Sequence, residues 1–133
     1  MARPETASAP RRILVVDDSA LVRLYYRQAL EQAGFEVEQA LNGIEALERS
    51  LAGAFDLIIV DVNMPKMDGF SFVRALRRSP ADIASVPVLI ITTEAGAEDL
   101  RQGRVAGANF YLVKPVSEDD LRRHAAVLAG AAP

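Results

Sequence analysis

Residues 13–19 read ILVVDDS: four consecutive apolar residues, three of them β-branched, run straight into two aspartates. A short apolar run of this kind reads as a strand buried on both faces, and such strands belong to parallel sheets. The pattern recurs downstream, where FDLIIV (55–60) runs into Asp61 and NFYLV (109–113) into Lys114. In a parallel sheet covered by crossover helices, strand ends share one edge, and ligands bind outside the carboxyl ends. Asp17, Asp18, Asp61 and Lys114 are therefore expected together. Three negative charges there ask for a cation, and the lysine then suggests an anionic substrate.

Outward from these runs, short β-branched segments alternate with helical patterns. The strand candidates are Arg12–Val16, Phe35–Gln39, Leu57–Val60, Val88–Ile91 and Phe110–Val113. Helices are expected over Ala20–Ala33, Gly43–Ala52, Phe70–Arg77, Glu98–Ala106 and Glu118–Leu128. This spacing gives an α/β fold with a parallel sheet covered on both faces by right-handed crossovers. Ser19 is placed to cap the first helix, with Val22, Tyr25 or Tyr26, Ala29 and Ala33 at core spacing. Gly34 supplies a residue that accepts positive φ after it, and Ser117 with Asp120 resembles a capping box. The fourth helix is the weak one. Gly103 falls inside it, which costs about 1 kcal/mol relative to alanine, and its apolar stripe is only Leu100, Val105 and Ala106. That surface is expected to rearrange.

A chain of 133 residues, half apolar and a quarter charged, fits one globular domain, expected over residues 11–131. Residues 1–10, rich in Ala, Pro, Ser and Thr, read as a disordered tail. A net charge of −3 gives no field for nucleic acid or an anionic membrane. The lack of cysteine excludes disulfides and thiolate chemistry, and the single histidine, His124, reads as a surface or packing residue. Without a secretory h-region or a membrane-length apolar run, a soluble cytoplasmic protein is expected.

The acidic edge suits Mg²⁺, a hard cation that takes few protein oxygens and keeps several waters. Asp18 and Asp61 are placed to bind it directly, Asp17 through a water, and the loop Asn63–Met64–Pro65 to add a backbone carbonyl. Lys114 is then most useful opposite a phosphoryl oxygen. Asp61 remains as the nucleophile. Its carboxylate can attack phosphorus if the cation and Lys114 stabilise the equatorial oxygens, giving an acyl phosphate. Thr92 ends the fourth strand on the same edge, and Tyr111 in the next strand is placed to fill the space that Thr92 would vacate.

The segments ILVVDDS (13–19), DLIIVDVNMPKMDGF (56–70), PVLIITTEA (87–95) and GANFYLVKP (107–115) together resemble a response-regulator receiver domain. The resemblance is closest to single-domain CheY-like chemotaxis regulators and covers essentially everything after residue 11. It implies a flavodoxin-like, doubly wound fold with five helices and a five-stranded sheet of order 2-1-3-4-5. It also implies Asp61 as phosphoacceptor, Asp17 and Asp18 as the metal pair, and the Asn63 carbonyl as a further ligand. Thr92 and Tyr111 become the switch residues, Lys114 the phosphate contact, and the Lys114–Pro115 bond is expected cis. Mg²⁺ is the implied cofactor, with Mn²⁺ as a substitute. Asn63 and Glu94 are implied to flank the path of attacking water, so that the phosphorylated form is short-lived. Val116 departs from the phenylalanine many relatives carry there.

The expected function is a phosphorylation-activated switch in a two-component system, not an enzyme acting on outside substrates. The partner is a histidine kinase or histidine phosphotransfer protein. Output is expected as a protein contact, as monomer or weak dimer, through the fourth helix, fifth strand and fifth helix, because no effector domain follows and the chain ends at Pro133. Chemotaxis is the expected setting. A phosphorelay intermediate or kinase-regulating receiver is the alternative. A Mg²⁺-dependent phosphatase is disfavoured because Asn63 stands where such enzymes need an acid. Lack of GxGxxG and GxxxxGK[ST] argues against a nucleotide-binding domain.

Overall fold

The central strands form where the β-branched runs ILVV, LIIV and VLII stand, and the longer helices where apolar residues recur at helical spacing. The computed structural model describes residues 10–130, so the expected tail lies, apart from Pro10, outside the described residues, as does the expected domain end at Ala131. In chain order the elements are β1 (Arg12–Val16), α1 (Ala20–Gln32), β2 (Glu36–Ala40), α2 (Gly43–Ala52), β3 (Leu57–Val60) and α3 (Gly69–Arg77). They continue with α4 (Ala81–Ala84), β4 (Val88–Thr92), α5 (Ala97–Ala106), β5 (Phe110–Val113) and α6 (Glu118–Leu128). The five strands pair in parallel in the order β2-β1-β3-β4-β5. This is the doubly wound order the resemblance implies.

Strand alternation splits the core into two layers. Ile13, Val15, Leu57, Ile59, Leu89 and Ile91 face Tyr26, Ala29 and Leu30 of α1 and Leu121 and Ala125 of α6. Leu14, Val16, Ile58, Val60, Val88 and Ile90 face Ala46 of α2, Phe72, Val73 and Leu76 of α3, and Ala106 of α5. Burying each large aliphatic side chain stabilises the fold by about 1.5–3 kcal/mol. Both faces are covered, which is why the central strands β1, β3 and β4 read as continuous apolar runs. Among the described residues, no helix is long and apolar enough to cross a membrane.

Apart from shifts of one residue at element ends, among them β2 at Glu36–Ala40 rather than Phe35–Gln39, three details differ from expectation. A sixth helix, α4, forms a single turn after Pro80, too short for any periodicity to show. The core tyrosine of α1 is Tyr26, while Tyr25 and Ala33 lie outside the buried set. On α5, Val105 is 70% exposed and the residues that face the sheet are Gly103 and Ala106. Val105 therefore does not belong to a core stripe, and α5 packs through small residues.

Candidate active site

The carboxyl edge is aligned by the ladder itself. Val16 of β1 and Val60 of β3 stand opposite each other, and the Asp61 N–H donates to the Val16 carbonyl at 3.0 Å. Across β4 and β5, the Lys114 N–H donates to the Thr92 carbonyl at 2.8 Å. Asp17, Asp61 and Thr92 are buried, and Asp18 is open to solvent. Carboxylate oxygens of Asp17, Asp18 and Asp61 lie within 4.8 Å of one another. The Lys114 ammonium donates to Asp17 Oδ2 and to Asp61 Oδ2, each at 3.1 Å. The structure thus brings all four charged strand ends together.

Local sequence fixes Asp17 and the main chain of Asp61. Asp17 Oδ1 accepts from the Ser19 N–H at 2.9 Å, and the Ser19 hydroxyl in turn accepts from the Val22 N–H at 3.3 Å to cap α1. The Arg23 guanidinium donates to the Asp17 main-chain oxygen at 2.6 Å and to Gln39 Oε1 at 2.9 Å, tying this turn to β2. Behind Asp61 the Asp68–Gly69 pair does two jobs. Asp68 caps α3 by accepting from the Ser71 N–H at 2.9 Å. Gly69 allows close approach, since a Cβ there would lie 2.3 Å from the Asp61 carbonyl oxygen. Sequence reasoning missed Arg23, whose acceptors are a main-chain oxygen and an amide with no mark in the local pattern.

Charge at this edge is unbalanced. Burial, opposed by the Ser19 N–H and by Lys114, holds the Asp17 carboxyl above the usual carboxylate range. Burial pulls the Lys114 ammonium down, but its hydrogen bond to Asp17 and the charges of Asp17 and Asp61 more than offset this, and its pKa is raised. Both shifts favour bound positive charge. Three carboxylates closely grouped on a hard-oxygen edge fit a divalent cation such as Mg²⁺.

A second network leads away from the acids. The Thr92 hydroxyl accepts from the Glu94 N–H at 3.4 Å, and the Tyr111 hydroxyl donates to the Glu94 carbonyl at 2.7 Å. The Glu94 side chain accepts from Asn63 Nδ2 at 2.9 Å, and the Asn63 N–H donates to Asp61 Oδ1 at 3.4 Å. Glu94 is thus a junction touching Thr92, Tyr111 and Asn63. Burial and the nearby acids Asp99, Glu94 and Asp61 push the Tyr111 phenol up to about 12. Thr92 and Tyr111 are linked through the Glu94 main chain, a connection invisible to side-chain patterns.

Beside the acids lies an apolar rim. Leu21, Leu24 and Tyr25 of α1 are 79%, 46% and 39% exposed. A hollow of about 330 Å³ separates α1 from the segment after β5, lined by Leu21, Val22, Tyr25, Lys114, Pro115 and Val116 among others. The Lys114–Pro115 bond at its floor is cis.

The family model described as response regulator receiver domain matches residues 13–126. The chain is 44% identical over 117 residues to the gliding motility regulatory protein of Myxococcus xanthus, covering 86% of the chain and 15% of that protein. It therefore spans a small part of the curated relatives it matches first. The structure of the chemotaxis protein CheY4 of Vibrio cholerae is 40% identical and superposes with a TM-score of 0.85, over 90% of this chain and 99% of that one. The receiver domain of the sensor histidine kinase PA1611 of Pseudomonas aeruginosa, described with a magnesium ion coordinated in its active site cleft, is 28% identical with a TM-score of 0.84. The match covers 92% of this chain and 100% of that one.

Proposed function

The chain belongs to the family of response regulator receiver domains, CheY-like in fold, and from that premise we propose that it is a phosphorylation-driven switch with Asp61 as the acceptor. The observation that carries this reading is the Lys114 ammonium, 3.1 Å from both Asp17 and Asp61. A buried carboxylate with a movable cation beside it and an open acidic edge is equipped to receive a phosphoryl group.

Asp17, Asp18 and Asp61, with the Asn63 main-chain carbonyl, are the residues that would hold Mg²⁺. When bound, the ion supplies charge neutralisation for phosphoryl oxygens. The magnesium described in the PA1611 receiver supports the same assignment here. An Asp61 oxygen attacks the phosphorus of a phosphohistidine. The new O–P bond forms as the P–N bond breaks, and the imidazole leaves with the electron pair and takes a proton from water. Lys114 transfers one of its hydrogen bonds to a phosphoryl oxygen, so the acyl phosphate, carrying roughly −2 in place of the carboxylate's single charge, meets an ammonium already in place. The Thr92 hydroxyl then turns from the Glu94 N–H toward the phosphoryl group. That frees the Glu94 segment, to which Tyr111 is bonded, and biases the surface of α5, β5 and α6.

The apolar rim of α1 beside Lys114 suits a protein phosphodonor, a histidine kinase or phosphotransfer protein. The output face exposes Leu100, Phe110, Val113 and Val127 for a protein target. Asn63 and Glu94, bonded across the acceptor's mouth, stand where water approaches the acyl phosphate, so the phosphorylated form is short-lived. The likeness to chemotaxis protein CheY4 supports a chemotaxis role. The likeness to a receiver from a sensor kinase supports the second reading, a phosphorelay or kinase-regulating receiver.

Incubation with ³²P-labelled phosphoramidate and Mg²⁺ tests the reading. The parent is expected to take up label and lose it within minutes, and Asp61→Asn to take up none. Equal labelling of Asp61→Asn would refute it, as would a phosphorylated lifetime of many hours.

A further inference from the structure

Gly103 stands midway along α5, where glycine costs about 1 kcal/mol relative to alanine. Its surroundings supply the reason. A Cβ at this position would lie 2.9 Å from Tyr111 Cδ2, 3.1 Å from Tyr111 Cε2 and 3.3 Å from Ile90 Cδ1. Two of those atoms belong to a rigid ring, and the third to a wholly buried core side chain. The ring is also held at its far end, where its hydroxyl donates to the Glu94 carbonyl at 2.7 Å. No room remains for a methyl group unless the ring or the helix shifts.

The helix is the less free of the two. Four residues beyond Gly103, the Gly107 carbonyl accepts from Arg77 Nε at 3.0 Å and Nη2 at 2.7 Å. The same guanidinium donates to the Ala84 and Val86 carbonyls at 2.9 and 2.6 Å and to Asn109 Oδ1 at 2.9 Å. Arg77 thereby clasps the C-terminal end of α5 to the segments before β4 and β5. Tyr111, by contrast, lines a hollow of about 160 Å³ with Leu100, Arg104, Ala108, Asn109 and Phe110. A displaced ring would swing outward and fill that hollow.

We infer that Gly103 is a positioning residue of the switch: its missing Cβ is the seat that keeps Tyr111 sunk against α5 and the hollow beside Phe110 open. The consequence for signalling rests on the proposed output face, but the seat itself is a property of the unphosphorylated chain. Alanine at this position gains helix propensity and loses the seat, so the sign of its effect depends on the ring.

A double-mutant cycle with Tyr111 reads that sign. Gly103→Ala is expected to lower the urea midpoint in the parent and to raise it in the Tyr111→Ala background. In protein carrying 3-fluorotyrosine, the ¹⁹F resonance of Tyr111, identified by its loss in Tyr111→Phe, is expected to shift in Gly103→Ala. Uptake of label from phosphoramidate is expected to persist in Gly103→Ala, because Asp61 is untouched. An effect of the same sign and size in both backgrounds, or an unmoved Tyr111 resonance, would overturn the inference. Failure of the parent to take up label would overturn the proposed function instead and leave the cycle standing.

Discussion

At the carboxyl edge of the sheet, three carboxylates cluster around one ammonium that bonds to only two of them, Asp17 and Asp61; at the amino edge, charged groups find their partners within the chain. There Arg12 meets Glu36 at 3.1 Å, Glu38 and the Ala54 carbonyl, with its guanidinium 4.7 Å from the Phe55 ring centre. Arg77 places all five of its N–H groups on neutral oxygens, and among the described residues it forms no ion pair. Burial lowers its pKa, but its hydrogen bonds are complete. Both edges sequester charge, yet only one leaves a deficit. A satisfied guanidinium locks loops together, whereas an acidic cluster short of cations is held ready for something from outside.

The largest expected effect falls on the open edge. Lys114→Met should slow phosphoryl uptake from phosphoramidate on the order of 100-fold, since it removes a preorganised charge at the transferring group. An unchanged rate would mean the ammonium is only structural. Mg²⁺ should stabilise the parent by about 2.7 kcal/mol at a hundred times its dissociation constant. Asp17→Asn should weaken that response in thermal melts, while Arg77→Met should retain it. Loss of the response in Arg77→Met would join two edges that the structure keeps apart.

A smaller effect belongs to the closed edge. Arg77→Met should lower stability in urea by about 2 kcal/mol through the acceptors it strands, and should leave phosphoryl uptake unchanged. The smallest is a pH dependence without metal. Asp17 titrates above its ordinary 3.8 in the folded chain, so folded protein holds that proton more tightly than unfolded protein does. Its contribution is complete below the ordinary value and is lost as pH rises through the raised one. Metal-free Asp17→Asn should therefore gain stability over the parent as pH climbs through that window. A stability difference independent of pH would contradict the assignment.

Sequence carried the open edge well because unbalanced charge is conspicuous at the end of an apolar run. ILVV before Asp17 and LIIV before Asp61 announce both a strand and an anomaly. The closed edge was nearly silent. Arg77's partners are mostly main-chain carbonyls that sequence leaves unmarked. The same holds for the links from Glu94 to Thr92 and Tyr111, made by its own N–H and C=O. Gly103 was legible as a cost to α5, but the ring that justifies it comes from the neighbouring strand. Val105 looked like core because α5 has few apolar residues, and packing through Gly103 and Ala106 left it outside.

On the proposed function, the deficit of positive charge surrounds a carboxylate, Asp61, that forms a bond to phosphorus. Borohydride reduction detects that bond, since it converts an aspartyl phosphate to homoserine, which peptide mass spectrometry can locate. After treatment with phosphoramidate and Mg²⁺, homoserine is expected in place of Asp61, and none when the metal is chelated. Homoserine at Asp17 or Asp18, or a phosphoryl group that survives reduction on a hydroxyl residue, would contradict the account.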